Sequence, residues 1–250
     1  GTGKISESVI NGIFKSKLKF KKIYISKRNI QVSKRLKKKF KKIIVEKENQ
    51  LILNNSDWIF LAVTPKVGEK IIKELRFKSK HIIVSFISTI RLPRLKKLIK
   101  VQANIVRAIP LPFISLRKGP IPIFPPNKKV KNFFDKLGTT VEINNEKLSK
   151  NFWSTSGMMA PFYELLSTMS NWLVKRGVKR NKAQKYITSL FVALSEDAVV
   201  NSKKDLKYLV KESQTPRGLN EQGVKELRKA GFYRSTEKTL SSILKRLNKV

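Results

Sequence analysis

The residues best suited to chemistry stand at the start of the chain. Gly1-Thr2-Gly3 leads at once into a helical pattern, with Ser6 at the next small position, a G-x-G-x-x-S spacing. In a dinucleotide-binding turn the first glycine allows the tight bend and the second lets the backbone approach a pyrophosphate. The pyrophosphate then sits on the helix amino terminus. Gly1, Thr2, Gly3, Lys4 and Ile5 are therefore candidate cofactor-binding residues. A strand run follows at the spacing of a strand-helix-strand unit and ends in Ser26-Lys27-Arg28-Asn29. An acidic residue there would take the ribose 2′-hydroxyl of NAD. A hydroxyl and two cations instead suit a 2′-phosphate, so Ser26 and Arg28 favour NADP, with NAD still possible. The alternative is that these are exposed residues of a lysine-rich chain. Ala62, Val63, Thr64 and Pro65 end another strand run, at the sheet edge where such folds bind ligands. Arg107 and Pro110 end a further one, although Arg107 follows an apolar residue and could pair internally. His81 begins a strand and reads as a surface residue rather than an acid.

These groups need a scaffold. Short β-rich runs at residues 21–26, 41–46, 57–63, 81–86 and 103–109 alternate with helical stretches at 5–15, 30–39, 67–75 and 92–98. Alternation of this kind predicts a parallel sheet with helices on both faces. Runs at 119–124 and 139–143 bracket a helix at 127–137. Past Glu146 the strand pattern stops, and amphipathic stretches follow at 147–157, 161–176, 182–201, 204–211, 219–230 and 236–247. The pattern predicts an α/β Rossmann-like amino-terminal domain, residues 1–146, and an all-α carboxy-terminal domain, residues 147–250. No strand run precedes Gly1, although the glycine turn should follow one and that strand should be central. The natural chain is therefore expected to begin several residues earlier.

Composition sets limits. The chain has 250 residues and no cysteine, which excludes disulfides, thiolate metal sites and a cysteine nucleophile. A reducing cytoplasm fits, and no metal is expected. No apolar run is long enough for a transmembrane helix, so no membrane partner is expected. Fifty-five basic residues stand against 17 acidic ones, densest from Lys15 to Lys47. Zinc-finger spacing, a basic region with heptads and an aromatic-basic RNA signature are all missing. Lysine, isoleucine and asparagine are abundant while glycine and alanine are scarce, as an AT-rich genome would give. The charge is read as compositional: no specific nucleic-acid partner is expected, but anionic cofactors and substrates should be attracted.

Four segments together resemble the pyrroline-5-carboxylate reductase family. GTGKISESVINGI resembles its dinucleotide loop and first helix. FLAVTPKVGEKII resembles the strand and loop written LAVKPQ, with Thr64 in the Lys place and Lys66 in the Gln place. HIIVSFISTIRLPRL and NIVRAIPLPFISLRKG resemble the strands carrying SIAAG and VRxMPNTP, with Leu111 in place of Asn. FWSTSGMMAPFYELLSTMSNWLVKRGVKRNKAQKY, followed by SQTPRGLNEQGVKEL, resembles the SGSGPAY helix and the SPGGTT segment in the same order. The resemblance covers nearly the whole chain. It implies hydride transfer from NAD(P)H to a small cyclic imine, most simply pyrroline-5-carboxylate to give proline. It also implies a helical domain that forms a homodimer or higher homo-oligomer through interlocking helices, and a substrate site between the two domains.

By this resemblance Thr215, Gly218, Leu219 and Asn220 bind substrate, with Asn220 and Thr215 as the catalytic candidates. Only Pro216, Gly218 and the Thr215 hydroxyl keep the SPGGTT pattern; Arg217, Leu219 and Asn220 depart from it, and Met158 and Met159 replace Ser and Gly. Loss of small polar groups implies a larger or more apolar substrate. Thr215-Pro216 and Asn220-Glu221 also read as helix starts, and Trp153, Phe162 and Trp172 as helix-packing residues at a dimer interface. Three alternatives stay open: a non-catalytic cofactor-binding protein of this fold, a hydroxyacid-dehydrogenase-type enzyme, and nucleic-acid binding through charge alone.

Overall fold

The computed structural model describes residues 1–249, and of Pro65 the backbone alone. The chain divides into two compact units, Gly1–Ser149 and Lys150–Val250.

In the first unit strands and helices alternate as the periodicity requires. The helix α1 (Lys4–Lys15) precedes β1 (Ile23–Ser26), and α2 (Ile30–Lys39) links β1 to β2 (Ile43–Glu46). A short α3 (Asn49–Asn54) leads to β3 (Trp58–Leu61), then α4 (Pro65–Glu74), β4 (Ile82–Ser85), α5 (Leu92–Ile99) and β5 (Asn104–Ala108). A 3₁₀ turn (Pro112–Leu116), β6 (Pro120–Phe124), α6 (Lys128–Phe134) and β7 (Thr139–Glu142) complete it. Only α3 and the 3₁₀ turn had no forerunner in the pattern, because stretches of six and five residues are too short to show a period.

The strands form two sheets. In one, β1 pairs with β2; the other runs β3-β4-β5-β6-β7. All pairs are parallel except β5 with β6, which is antiparallel. The alternating runs that predicted a parallel sheet, β1 to β5, pair in parallel throughout, and the reversal comes at β6, for which no direction was expected. Parallel neighbours need a crossover, commonly a helix, and the 3₁₀ turn between β5 and β6 supplies too little chain for one. Within β4, Ile83 and Val84 have no exposure and point into different cores, so the strand reads as continuously apolar. One core joins β3, β4 and β5 to α4 and α5 through Ile72, Ile83, Leu95 and Ile105. The opposite core joins the sheet to α1 and α6 through Val9, Ile13, Val106 and Phe134. Each fully buried aliphatic side chain contributes about 1.5–3 kcal/mol. A third cluster, Ile10, Ile25, Val32, Leu36 and Ile43, seats α1 and α2 on β1 and β2. Gly12 lets α1 lie close to the 3₁₀ turn: a Cβ there would come within 2.4 Å of the Ile114 carbonyl oxygen.

The second unit contains α7 (Ser149–Ser156), α8 (Met159–Val174), α9 (Arg180–Val200), α10 (Lys207–Glu212), α11 (Leu219–Lys229) and α12 (Phe232–Asn248). Helices α8 and α9 meet edge-to-face through Phe162 and Phe191, 5.7 Å apart. Lys150 of α7 donates to the Leu247 carbonyl of α12. Among the described residues of this unit, Ala183 and Ile187 are the only buried hydrophobic side chains, whereas Trp172, Val192, Leu194, Val199 and Leu206 are more than half exposed. So little buried apolar surface cannot hold about 100 residues unaided. Among the described residues no helix is long and apolar enough to cross a membrane.

Candidate functional site

The candidate cofactor residues gather at the carboxyl ends of β1 and β3, the edge where open α/β sheets bind ligands. Gly1 passes so close to the strand end that a Cβ would meet the Ala62 carbonyl oxygen at 2.1 Å. Only glycine fits. Gly3 is the N-cap of α1 and has open space around it, and no side chain caps the helix. The first-turn N–H groups, those of Lys4 and Ile5 among them, are thus left to an external anion.

Thr2 sets the distance between this turn and the next loop. It is buried; its Oγ1 donates to the Ser26 carbonyl and accepts from the Asn29 N–H at 3.2 Å. Asn29 in turn caps α2, its Oδ1 accepting from Val32 N–H at 3.1 Å. The sequence placed Thr2 in the turn but gave no sign of this bridge, which joins residues 27 apart. The cap itself was legible: Asn before a helical run is a standard start signal. Lys27 and Arg28 are exposed beside the bridge. Ser26 is buried, and its hydroxyl has no hydrogen-bond partner among the described residues. The hydroxyl of Ser6 is likewise buried without one. Ala62 and Val63 are half-buried, and the exposed Thr64 is the N-cap of α4, whose first residue is Pro65. This cradle fits a dinucleotide: a glycine-only approach, an uncapped helix end, and cations where a 2′-phosphate would lie.

Arg107 is not a free edge residue. It is 4% exposed and its guanidinium donates to the Glu146 carboxylate. The same carboxylate oxygen accepts from Leu92 N–H at 2.8 Å, at the start of α5. His81 is wholly buried, contrary to the surface position expected. Its Nδ1 accepts from Lys78 N–H at 3.1 Å, and burial, with Lys78 and Lys80 nearby, holds its pKa below the usual histidine value. Strand-start position did not predict exposure: the turn from Lys78 bonds to the ring and the residue is buried.

The substrate candidates lie in the helical unit, in the turn before α11. Gly218 N–H donates to the Thr215 carbonyl at 2.8 Å, and Arg217 N–H to Glu221 Oε2 at 2.6 Å. Arg217 is left-handed, φ 62°. The helix begins at Leu219 with Gly218 as N-cap, so neither Thr215-Pro216 nor Asn220-Glu221 supplies the cap that was expected. Asn220 sits one residue inside the helix, and its Nδ2 reaches back to the Ser213 carbonyl at 2.8 Å. Leu219 is 87% exposed, and Thr215 and Asn220 are exposed as well. Trp172 and Phe162 are exposed too, with the Arg176 guanidinium stacked 3.7 Å from the Trp172 ring centre. Trp153, Met158 and Met159 are partly buried.

Comparison with known proteins follows the division into units. Residues 1–89 match the family described as NADP oxidoreductase coenzyme F420-dependent, and residues 146–250 match the pyrroline-5-carboxylate reductase dimerisation family. Among solved structures, 1-pyrroline-5-carboxylate reductase from Streptococcus pyogenes is 20% identical, with a TM-score of 0.80 over 100% of this chain and 96% of that one. The enzyme from Coxiella burnetii is 19% identical, with a TM-score of 0.86 over 100% and 96%. The chain has the fold of these reductases, and its carboxy-terminal unit matches their dimerisation family. A further solved structure, pyrroline carboxylate reductase from Plasmodium falciparum with NADP bound, is 18% identical, with a TM-score of 0.78 over 98% of this chain and 94% of that one. No curated protein sequence matches at the required significance. Against the SPGGTT pattern, this chain carries Arg217 in left-handed backbone at a glycine place and an exposed Leu219 at a threonine place.

Proposed function

We propose that this protein is an NADPH-dependent reductase of a small cyclic imine, most simply pyrroline-5-carboxylate to proline. The observation that carries the cofactor half is the glycine-only approach of Gly1 to Ala62, beside an uncapped α1. Bound there, NADPH would supply the hydride. The N–H groups of Gly3, Lys4 and Ile5 hold the pyrophosphate. Arg28 and Lys27 take the 2′-phosphate, at a distance set by the Thr2 bridge. Ala62, Val63 and Thr64 border the dinucleotide at the end of β3.

In the helical unit, the turn from Thr215 to Asn220 receives the substrate carboxylate. The Thr215 hydroxyl and the amino end of α11 provide the donors, and Asn220 holds the turn through Ser213. Leu219 presents an apolar surface where the family pattern has a hydroxyl, which favours a substrate bulkier than pyrroline-5-carboxylate as a second acceptor. The exposed apolar faces of α8, α9 and α10 are covered by the same helices of a second copy, giving a homodimer or a larger assembly. We place the protein in the cytoplasm, where a cysteine-free reductase would meet reduced dinucleotide.

The test is oxidation of NADPH and of NADH, followed by absorbance, against pyrroline-5-carboxylate and a panel of larger cyclic imines. Turnover with NADPH is expected, and Asn220→Ala should lower it far more than it lowers the melting temperature. Tight NADPH binding without turnover on any imine would instead favour a non-catalytic cofactor-binding protein.

A further inference from the structure

From Lys15 to Lys42, 14 of 28 residues are Lys or Arg and none is acidic; the other 41 basic residues and all 17 acidic ones share the remaining 222. Half of this stretch is cationic, against less than a fifth of the rest, so a lysine-rich composition spread evenly does not account for it. All 14 are exposed, and among the described residues Arg35 alone of them is in an ion pair, with Glu7.

The fold gathers ten of these cations at one pole of the first unit. Lys15 ends α1, and Lys17, Lys19, Lys21 and Lys22 lie in the link to β1. Lys37, Lys38 and Lys39 end α2, while Lys41 and Lys42 lead into β2. The two strands are parallel, so both links arrive at their amino ends. There Ile23 N–H donates to the Lys42 carbonyl at 3.0 Å, and Lys42 Nζ donates to the Phe20 carbonyl at 3.2 Å. Phe14 of α1 stacks on Phe40 at 3.8 Å and meets Phe20 edge-on at 5.2 Å. Three half-buried rings thus pin α1, the first link and the end of α2 together. Lys39 lies 5.1 Å from the centre of the Phe40 ring, and Lys42 5.0 Å from that of Phe20. In the first link exposure alternates: Lys17, Lys19 and Lys21 point outward, and Leu18 and Phe20 are half-buried. Alternate residues of an extended chain are about 6.6 Å apart.

So many like charges repel one another and oppose the compact state unless anions neutralise them. Lys37, Lys38 and Lys39 also complement the carboxyl end of α2, but the lysines inside the two links serve no helix. Spaced cations with aromatic rings between them suit a single-stranded nucleic acid, whose phosphates meet the charges and whose bases meet the rings. Among the described residues no large apolar side chain is exposed at this pole, so nothing there would enter the acyl layer of a membrane. The candidate cofactor residues stand at the other end of the strands, about 13 Å away along four residues.

We propose that the amino pole of β1 and β2 is a binding surface for single-stranded nucleic acid, held through its phosphates and without sequence preference. The surface is separate from the dinucleotide cradle, so both are filled at once.

The test is the fluorescence anisotropy of a labelled single-stranded RNA of mixed sequence, about 20 nucleotides long, in salt from about 50 to about 200 mM. Three proteins are compared. One is the parent. The pole variant carries Lys17→Gln, Lys19→Gln, Lys21→Gln, Lys22→Gln and Lys41→Gln, all in the links. The control carries Lys70→Gln, Lys73→Gln, Lys128→Gln, Lys129→Gln and Lys136→Gln, which removes the same charge from exposed positions elsewhere in the unit. The pole variant should bind at least about tenfold more weakly, with the slope of log affinity against log salt shallower by about 3. The control should stay within about twofold of the parent. Relief of repulsion should keep the melting temperature of the pole variant at or above the parent's, so a lost complex is not a lost fold. Saturating NADP should leave RNA binding by the parent unchanged. Equal loss in both variants would assign the affinity to net charge and overturn the proposal. Displacement of RNA by NADP would overturn it too, by placing the strand on the cofactor residues. So would tighter pole-dependent binding to phosphatidylserine vesicles than to RNA, which would assign the surface to lipid. None of these readouts involves turnover, so their outcome is separate from that of the reductase assay.

Discussion

The guanidinium of Arg107, at the end of β5, donates to the carboxylate of Glu146, which lies 39 residues further along the chain. That carboxylate also accepts the Leu92 N–H, so a single side chain ties the strand end to the first turn of α5. Breaking a buried pair costs more than the pair is worth, because the remaining charge is left in a poorly solvated site. Glu146→Ala should therefore lower stability by about 3–5 kcal/mol. For a chain of this length the melting temperature should fall by about 10 °C. Arg107→Met combined with Glu146→Leu should recover most of the loss, since both charges are then gone. A Glu146→Ala protein melting within about 2 °C of the parent would show the pair to be dispensable.

Stability should rise with pH as His81 loses its proton. The His81 pKa is lowered on folding, so the unfolded chain takes up the proton first as the solution is acidified. Its contribution is complete above the usual histidine value of about 6.5 and is lost as the pH falls below it. Melting curves from about pH 5 to 9 should show this step, and His81→Gln should flatten it. A flat profile in the unmodified chain would contradict the assignment.

Arg217 occupies a left-handed backbone conformation at φ 62°, which costs an ordinary residue about 1–2 kcal/mol. Part of any gain from glycine is returned as unfolded-chain entropy. Arg217→Gly should therefore stabilise the protein by about 0.5–1 kcal/mol. If the guanidinium contacts a substrate carboxylate, KM for the imine acid should rise in the same variant while kcat changes little. Stabilisation with an unchanged KM would leave Arg217 no part in binding.

Much of the fold was legible because its signals are local. Strand runs such as IIVS and IYIS, separated by amphipathic stretches, gave the α/β half, and the loss of strand pattern after Glu146 gave the helical half. The glycine turn was legible for the same reason: close approach to a carbonyl tolerates only glycine, and that requirement is written in single residues. What the sequence left open depends on residues far apart along the chain. Thr2 and Asn29, Arg107 and Glu146, and the burial of His81 all arise from side chains that meet only once the sheet is built. The antiparallel β6 depended on how much chain the β5 connection could supply. Local periodicity determined the elements; the packing of distant elements decided the partners of each polar group.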